Sequence, residues 1–83
     1  MYYYDYETNT DYYLDNMVDS KLNGVRVRVE APSYTHNNKE GVIVGILFDD
    51  NGIFYIVKYD VPEFEINTTE ECGAWKLSNL KFL

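Results

Sequence analysis

Very few side chains in this sequence are of a type that does covalent or metal chemistry. His36 is the only histidine and Cys72 the only cysteine. His36 lies in the polar stretch 33–41 (SYTHNNKEG), with no cysteine or carboxylate at a ligand-like spacing, so it reads as a solvated loop histidine. Cys72 follows Glu70 and Glu71, whose negative field raises a thiol pKa and blunts its nucleophilicity. Asp49-Asp50-Asn51-Gly52 begins like a calcium loop but lacks the later bidentate glutamate; Asn-Gly is a hairpin signal in its own right. A glycine-rich phosphate loop is absent from the sequence. The expectation is a non-enzymatic protein with no catalytic residue, no metal site and no cofactor.

Carboxylates and tyrosines offer more. Residues 1–23 hold six of the nine tyrosines and five of the fourteen acidic residues, against one lysine. Asp11, Asp15 and Asp19 are four apart, which on a helix places them on one face about 5–6 Å from one another. Such a row imitates the phosphate spacing of a nucleic acid, although a solvated helix face has the same pattern. Tyrosines interleaved with acids supply rigid contact area at low entropic cost. The expected partner-binding residues are therefore Asp5, Glu7, Asp11, Asp15 and Asp19, with Tyr3, Tyr4, Tyr6 and Tyr12 as anchors.

The net charge of −7 bears on the partner. Nucleic-acid binders draw most of their affinity from neutralising phosphates, so direct binding to DNA or RNA is disfavoured. Anionic membranes are disfavoured on the same ground. A basic protein partner is favoured, because opposite potentials speed encounter and suppress wrong docking. Solubility alone also makes domains acidic. The charge is unevenly spread: residues 1–24 carry −4, residues 25–60 carry −1 and residues 61–83 carry −2.

Eighty-three residues suffice for one small domain. A lone cysteine forms no internal disulfide, and the chain opens with neither a basic n-region nor an apolar h-region. No apolar stretch approaches the ~20 residues that cross a bilayer. A cytoplasmic location follows as the expectation, and the sequon Asn67-Thr68-Thr69 is then unused.

The elements that position these residues are read from periodicity. Thr10 or Asp11 caps a short amphipathic helix whose stripe is Leu14, Val18 and Leu22, with Asn23-Gly24 as its left-handed stop. Residues 24–30 (GVRVRVE) alternate valines with charged residues, the pattern of a half-buried strand ended by Ala31-Pro32. The unbroken apolar run Val42–Phe48 suits a strand covered on both faces, with Gly45 allowing a bend. Asn51-Gly52 turns the chain into a return strand over Ile53–Tyr59, closed by Asp60-Val61-Pro62. An acidic excursion over 63–73 with a short strand across Glu63–Ile66, a short strand Ala74–Leu77, one tight helical turn at Leu77–Leu80 and a final strand Lys81–Leu83 complete the chain.

That order resembles the small SH3-like barrels, particularly the KOW and Tudor-like group. The likeness rests on Val25–Val29, Gly41–Phe48, Tyr55–Asp60, Trp75 and Leu77–Phe82, and covers about residues 24–83. It implies a five-stranded SH3-like barrel over 24–83; with the Tyr/Asp-rich arm and short helix over 1–23, which lie outside the likeness, the expected fold is mainly β (α+β). It further implies a binding module, in which Tyr55, Tyr59 and Trp75 either cage a cationic side chain or simply pack. The basic face of KOW-type nucleic-acid binders has no counterpart here. In size and charge the chain also resembles small acidic inhibitor proteins encoded by bacteriophages, which occlude basic nucleic-acid-binding surfaces of host factors, some as DNA mimics. A Tudor- or KOW-like module of a larger assembly, and a homo-oligomeric structural protein, are the alternatives.

Overall fold

A computed structural model describes residues 2–5, 10–13, 17–34, 36–50, 52–65 and 68–83, with side-chain surroundings for 17–34, 36–48, 50, 52–60 and 72–83. The described residues form the strands β1 (Tyr2–Asp5), β2 (Thr10–Tyr13), β3 (Arg26–Val29), β4 (Glu40–Asp49), β5 (Gly52–Glu65), β6 (Thr68–Trp75) and β7 (Leu80–Phe82). A 3-10 turn, Leu77–Asn79, precedes β7 where the sequence signals a tight helical turn. Among the described residues β1 and β2 pair with each other, and the rest form a five-stranded antiparallel sheet in the order β6-β5-β4-β3-β7.

Among the described residues the expected helix is not there. Thr10–Tyr13 is a strand, Val18 makes an antiparallel bridge to Ile46, and Lys21–Gly24 is a turn. Tyrosine favours a pleated surface over a helix, and Val18 gains two long-range backbone hydrogen bonds with Ile46, of 2.9 and 2.8 Å. Gly24 does take positive φ, but it closes a turn whose N–H reaches the Ile43 carbonyl at 2.8 Å.

Nor is the sheet closed into a barrel. β6 and β7 are its two edges, and among the described residues they are not paired with each other. The physical reason is that β7 is only three residues long and spends its pairing on β3, while loop residues cap the core instead. Ala31 is buried in the larger cluster, and Leu22 and Tyr34 pack against it.

Both faces of the sheet carry a core. One holds Val27, Val29, Ile43, Val57, Tyr59, Trp75 and Leu80, and the other Leu47, Phe54, Ile56 and Ala74. The apolar run of β4 serves both, as a strand covered on two sides must. The switch occurs at Val44, an unpaired residue between Ile43↔Val57 and Gly45↔Ile56. This bulge transfers the following residues to the opposite face, so Leu47 joins Ile56 rather than Ile43.

At Gly45 a Cβ would lie 2.4 Å from Met17 Cγ and 2.9 Å from the Val18 carbonyl oxygen. Glycine there lets residues 17–18 run tight against β4 and cover its exposed edge.

β5 runs on past Tyr59 to Glu65. Pro62 is tolerated because pairing lapses there: Lys58 faces Cys72 and Glu63 faces Glu70, leaving residues 59–62 opposite residue 71 alone. The acidic excursion is thus largely the second half of a long hairpin.

Candidate interaction surfaces

Tyr59 and Trp75 come together, though not as an open cage. Trp75 Nε1 donates to the Tyr59 hydroxyl at 2.8 Å, and both rings are buried. β5 and β6 place them on one face, where Tyr55 stands opposite Trp75 and Gly73 opposite Val57. Gly73 makes the contact possible: a Cβ there would sit 2.0 Å from the Tyr59 hydroxyl oxygen. Tyr34 meets Trp75 edge-on at 5.6 Å. His36 stacks on Tyr59 at 5.4 Å, with an interplanar angle of 9°.

This aromatic cluster is core, and Tyr55 is half-buried against it. His36, which reads as solvated in the sequence, is only 5% exposed. Its burial depends on the folding back of the 31–39 loop, where Asn37 Oδ1 accepts from the Ala31 amide (2.9 Å) and the Asn38 amide donates to the Val29 carbonyl (2.8 Å). No local spacing could have signalled that closure.

The opposite face bears a charged ladder at the β3 end. Arg26 makes a bidentate pair with Asp60 (3.1 and 2.5 Å), and Arg28 donates from Nε and one terminal nitrogen to Glu40 (3.1 and 2.9 Å). The outward alternation of the first strand puts both arginines there, and β4 and β5 bring the acids from far along the chain. Hydrogen bonding from Arg26 holds the Asp60 carboxyl below the usual carboxylate range, and the same bond raises Arg26. A shallow cleft of 360 Å³ lies beside them, lined by Asn38, Lys39, Glu40 and Asp60. Its mixed charges, with both carboxylates engaged by arginine, favour neither an anion nor a cation. Among the described residues no histidine, cysteine and carboxylate side chains are grouped to hold a metal ion.

The expected partner-binding residues fall on three parts of the chain. Tyr3, Tyr4 and Asp5 are in β1, and Asp11 and Tyr12 in β2; the register sets Tyr3 opposite Tyr12, Tyr4 opposite Asp11 and Asp5 opposite Thr10. Tyr6, Glu7 and Asp15 lie outside the described residues. Asp19 is exposed and accepts from the Asn23 side-chain amide at 3.2 Å. Because Asp11 is on a strand and Asp19 in a non-helical segment, the three aspartates do not form a helical row. They therefore offer no helical row of carboxylates that could mimic phosphate spacing.

Residues 17–25 belong with the sheet. Besides the Val18 bridge, Asn23 Nδ2 donates to the Val44 carbonyl at 3.1 Å, and the Ile43 amide donates to the Val25 carbonyl at 3.0 Å. Met17 packs on one core and Leu22 on the other. A third surface went unread in the sequence: the hairpin end of the sheet leaves Val18, Phe48 and Ile53 exposed. The apolar run was legible, but which of its members stay outside is decided by the bulge.

No helix among the described residues is long and apolar enough to cross a membrane. Comparison with family models, curated proteins and solved structures found no match to this chain.

Proposed function

We propose that the chain is a non-enzymatic, acidic protein-binding protein that engages and occludes a basic surface on its partner, such as a nucleic-acid-binding one, through its N-terminal hairpin. The observation that carries this reading is the make-up of residues 2–13: six tyrosines, three acids, no aliphatic residue and no cation. A segment so composed cannot supply an aliphatic core of its own, and its two strands pair with each other outside the main sheet. Tyrosine and carboxylate together suit a wet, electrostatically steered interface. Asp5, Glu7 and Asp11, with Asp15 next in the chain, carry the charge; Tyr3, Tyr4, Tyr6 and Tyr12 supply the contact area.

The experiment is affinity capture on immobilised full chain, against a chain beginning at residue 14, with elution by salt. The cut belongs before residue 14 because residues 17–25 hydrogen-bond to β4. The expected result is capture of a basic protein by the full chain only, released as salt rises and the screening length falls below about 10 Å. Equal capture by both chains rejects the reading.

A further inference from the structure

The bulge at Val44 also determines what the sheet leaves uncovered. It returns Ile46 and Phe48 to the face of the larger core, beyond that core's buried members. Cross-strand pairing then sets Val18, Ile46, Tyr55 and Trp75 in one row, and Phe48 opposite Ile53 in the next. Paired residues of adjacent strands stand about 5 Å apart on the same face, so these side chains are contiguous. Trp75 is buried, and Ile46 and Tyr55 are half-buried. Val18 is 50% exposed, Phe48 61% and Ile53 49%. Single exposed apolar residues are ordinary on a soluble domain; a continuous patch of large ones marks an interaction site.

The charge next to the patch in the chain is net acidic: the segments that build it, 17–22, 46–55 and 75–76, contain Asp19, Asp49 and Asp50 against Lys21 and Lys76. Asp19 and Asp50 are exposed.

We propose that this patch docks a short protein segment carrying one or two large apolar side chains flanked by lysine or arginine. The net charge of −7, with the acids next to the patch in the chain, selects the flanking cations. A second copy is a poorer occupant: it would bring together two chains that each carry −7. Five side chains also cover a few hundred Å², short of the ~800 Å² per partner of a stable dimer. An anionic membrane is repelled by the same charge. The proposal does not rest on the N-terminal hairpin, since none of the residues it uses lies in 1–16.

The test is an amide chemical-shift titration of the full chain with two synthetic peptides sharing a Leu-Phe-Leu centre, one flanked by lysines and one by glutamates. The lysine peptide is expected to give saturable shifts at Val18, Ile46, Phe48, Ile53 and Tyr55, and to bind about tenfold or more tighter than the glutamate peptide. Phe48→Ser and Ile53→Ser are each expected to weaken it about tenfold. Asp50→Lys is expected to weaken the lysine peptide alone. All three positions are exposed, and the amide spectrum of each variant verifies its fold. Neutralising Asp5, Glu7 and Asp11 is expected to leave this binding unchanged, which separates it from the function proposed for the hairpin. Three results would overturn the proposal in favour of another occupant or none: equal binding of the two peptides or shifts centred elsewhere, a concentration-dependent dimer abolished by Phe48→Ser, or binding to phosphatidylcholine vesicles abolished by the same variant.

Discussion

Tyrosine is used in two ways in this molecule. In the sheet, Tyr59 is buried among aliphatics and its hydroxyl is taken by Trp75 Nε1, while Tyr34 packs edge-on to the same indole. In residues 2–13 six tyrosines stand among acids, and the segment itself contains no aliphatic residue. A phenol in the core contributes area and one satisfied hydrogen bond to stability. A run of phenols among carboxylates lacks the company a core requires. Composition around a residue type, more than the type itself, separates what holds the fold from what is free to face a partner.

This contrast breaks most visibly in the core. Ile43 and Ile56 are fully buried on opposite faces of the sheet, and truncation of either to alanine is expected to cost about 2–5 kcal/mol in chemical denaturation. For a domain of this size that approaches the whole stability. Comparable losses from the two prove that both clusters are needed; a near-neutral Ile56→Ala would reduce the sheet to one working face.

Next in size is Gly73→Ala. The added methyl collides with the Tyr59 hydroxyl, so the expected cost is about 1–3 kcal/mol, together with a changed Trp75 fluorescence spectrum as its N–H loses that partner. An unaltered spectrum would show that the indole and phenol are not coupled as described.

Removal of residues 1–13 is expected to shift stability by no more than about 1 kcal/mol while abolishing partner capture. A large drop in melting temperature would instead make the hairpin part of the core's support, and the contrast between the two sets of tyrosines would fall.

The smallest effect concerns the surface ladder. The folded Asp60 carboxyl titrates below its unfolded value because Arg26 donates to it. Its contribution is therefore present above the unfolded carboxylate pKa and lost as pH falls through the depressed folded one. Asp60→Asn is expected to flatten the acid limb of the stability curve slightly and leave neutral-pH melting nearly unaltered, because exposed ion pairs are worth little. A variant with an unchanged acid limb would mean that Arg26 and Asp60 are not paired in solution.

The strands most legible in the sequence were those whose signals are local. Val25, Val27 and Val29 alternate with charges and turn inward, with Val27 and Val29 fully buried. Asn51-Gly52 marks a hairpin that closes at Asp49↔Gly52, and Leu77-Ser78-Asn79 forms the expected tight turn. The helix over 10–22 misled because a four-residue apolar spacing also arises by coincidence. Val18 serves an extended bridge to a distant strand, and Leu22 packs from a turn. β5 outran its expected end because a proline inside a multi-residue bulge forfeits no ladder bond. Sheet closure and the burial of His36 depend on how loops fold back, which no window of sequence contains. Of the candidate surfaces, the acidic tyrosines were readable from composition alone. The Phe48–Ile53 patch was not, since one unpaired residue at Val44 decides which apolar side chains face outward.

In the proposed function, charge on the N-terminal hairpin captures a basic partner. The most direct measurement compares binding of that captured partner to the parent chain and to the variant Asp5→Asn, Glu7→Gln, Asp11→Asn, both with intact sheets by amide spectrum. Loss of binding by about tenfold or more, with a shallower salt dependence, is the expected outcome. Undiminished binding with the same salt dependence contradicts the claim.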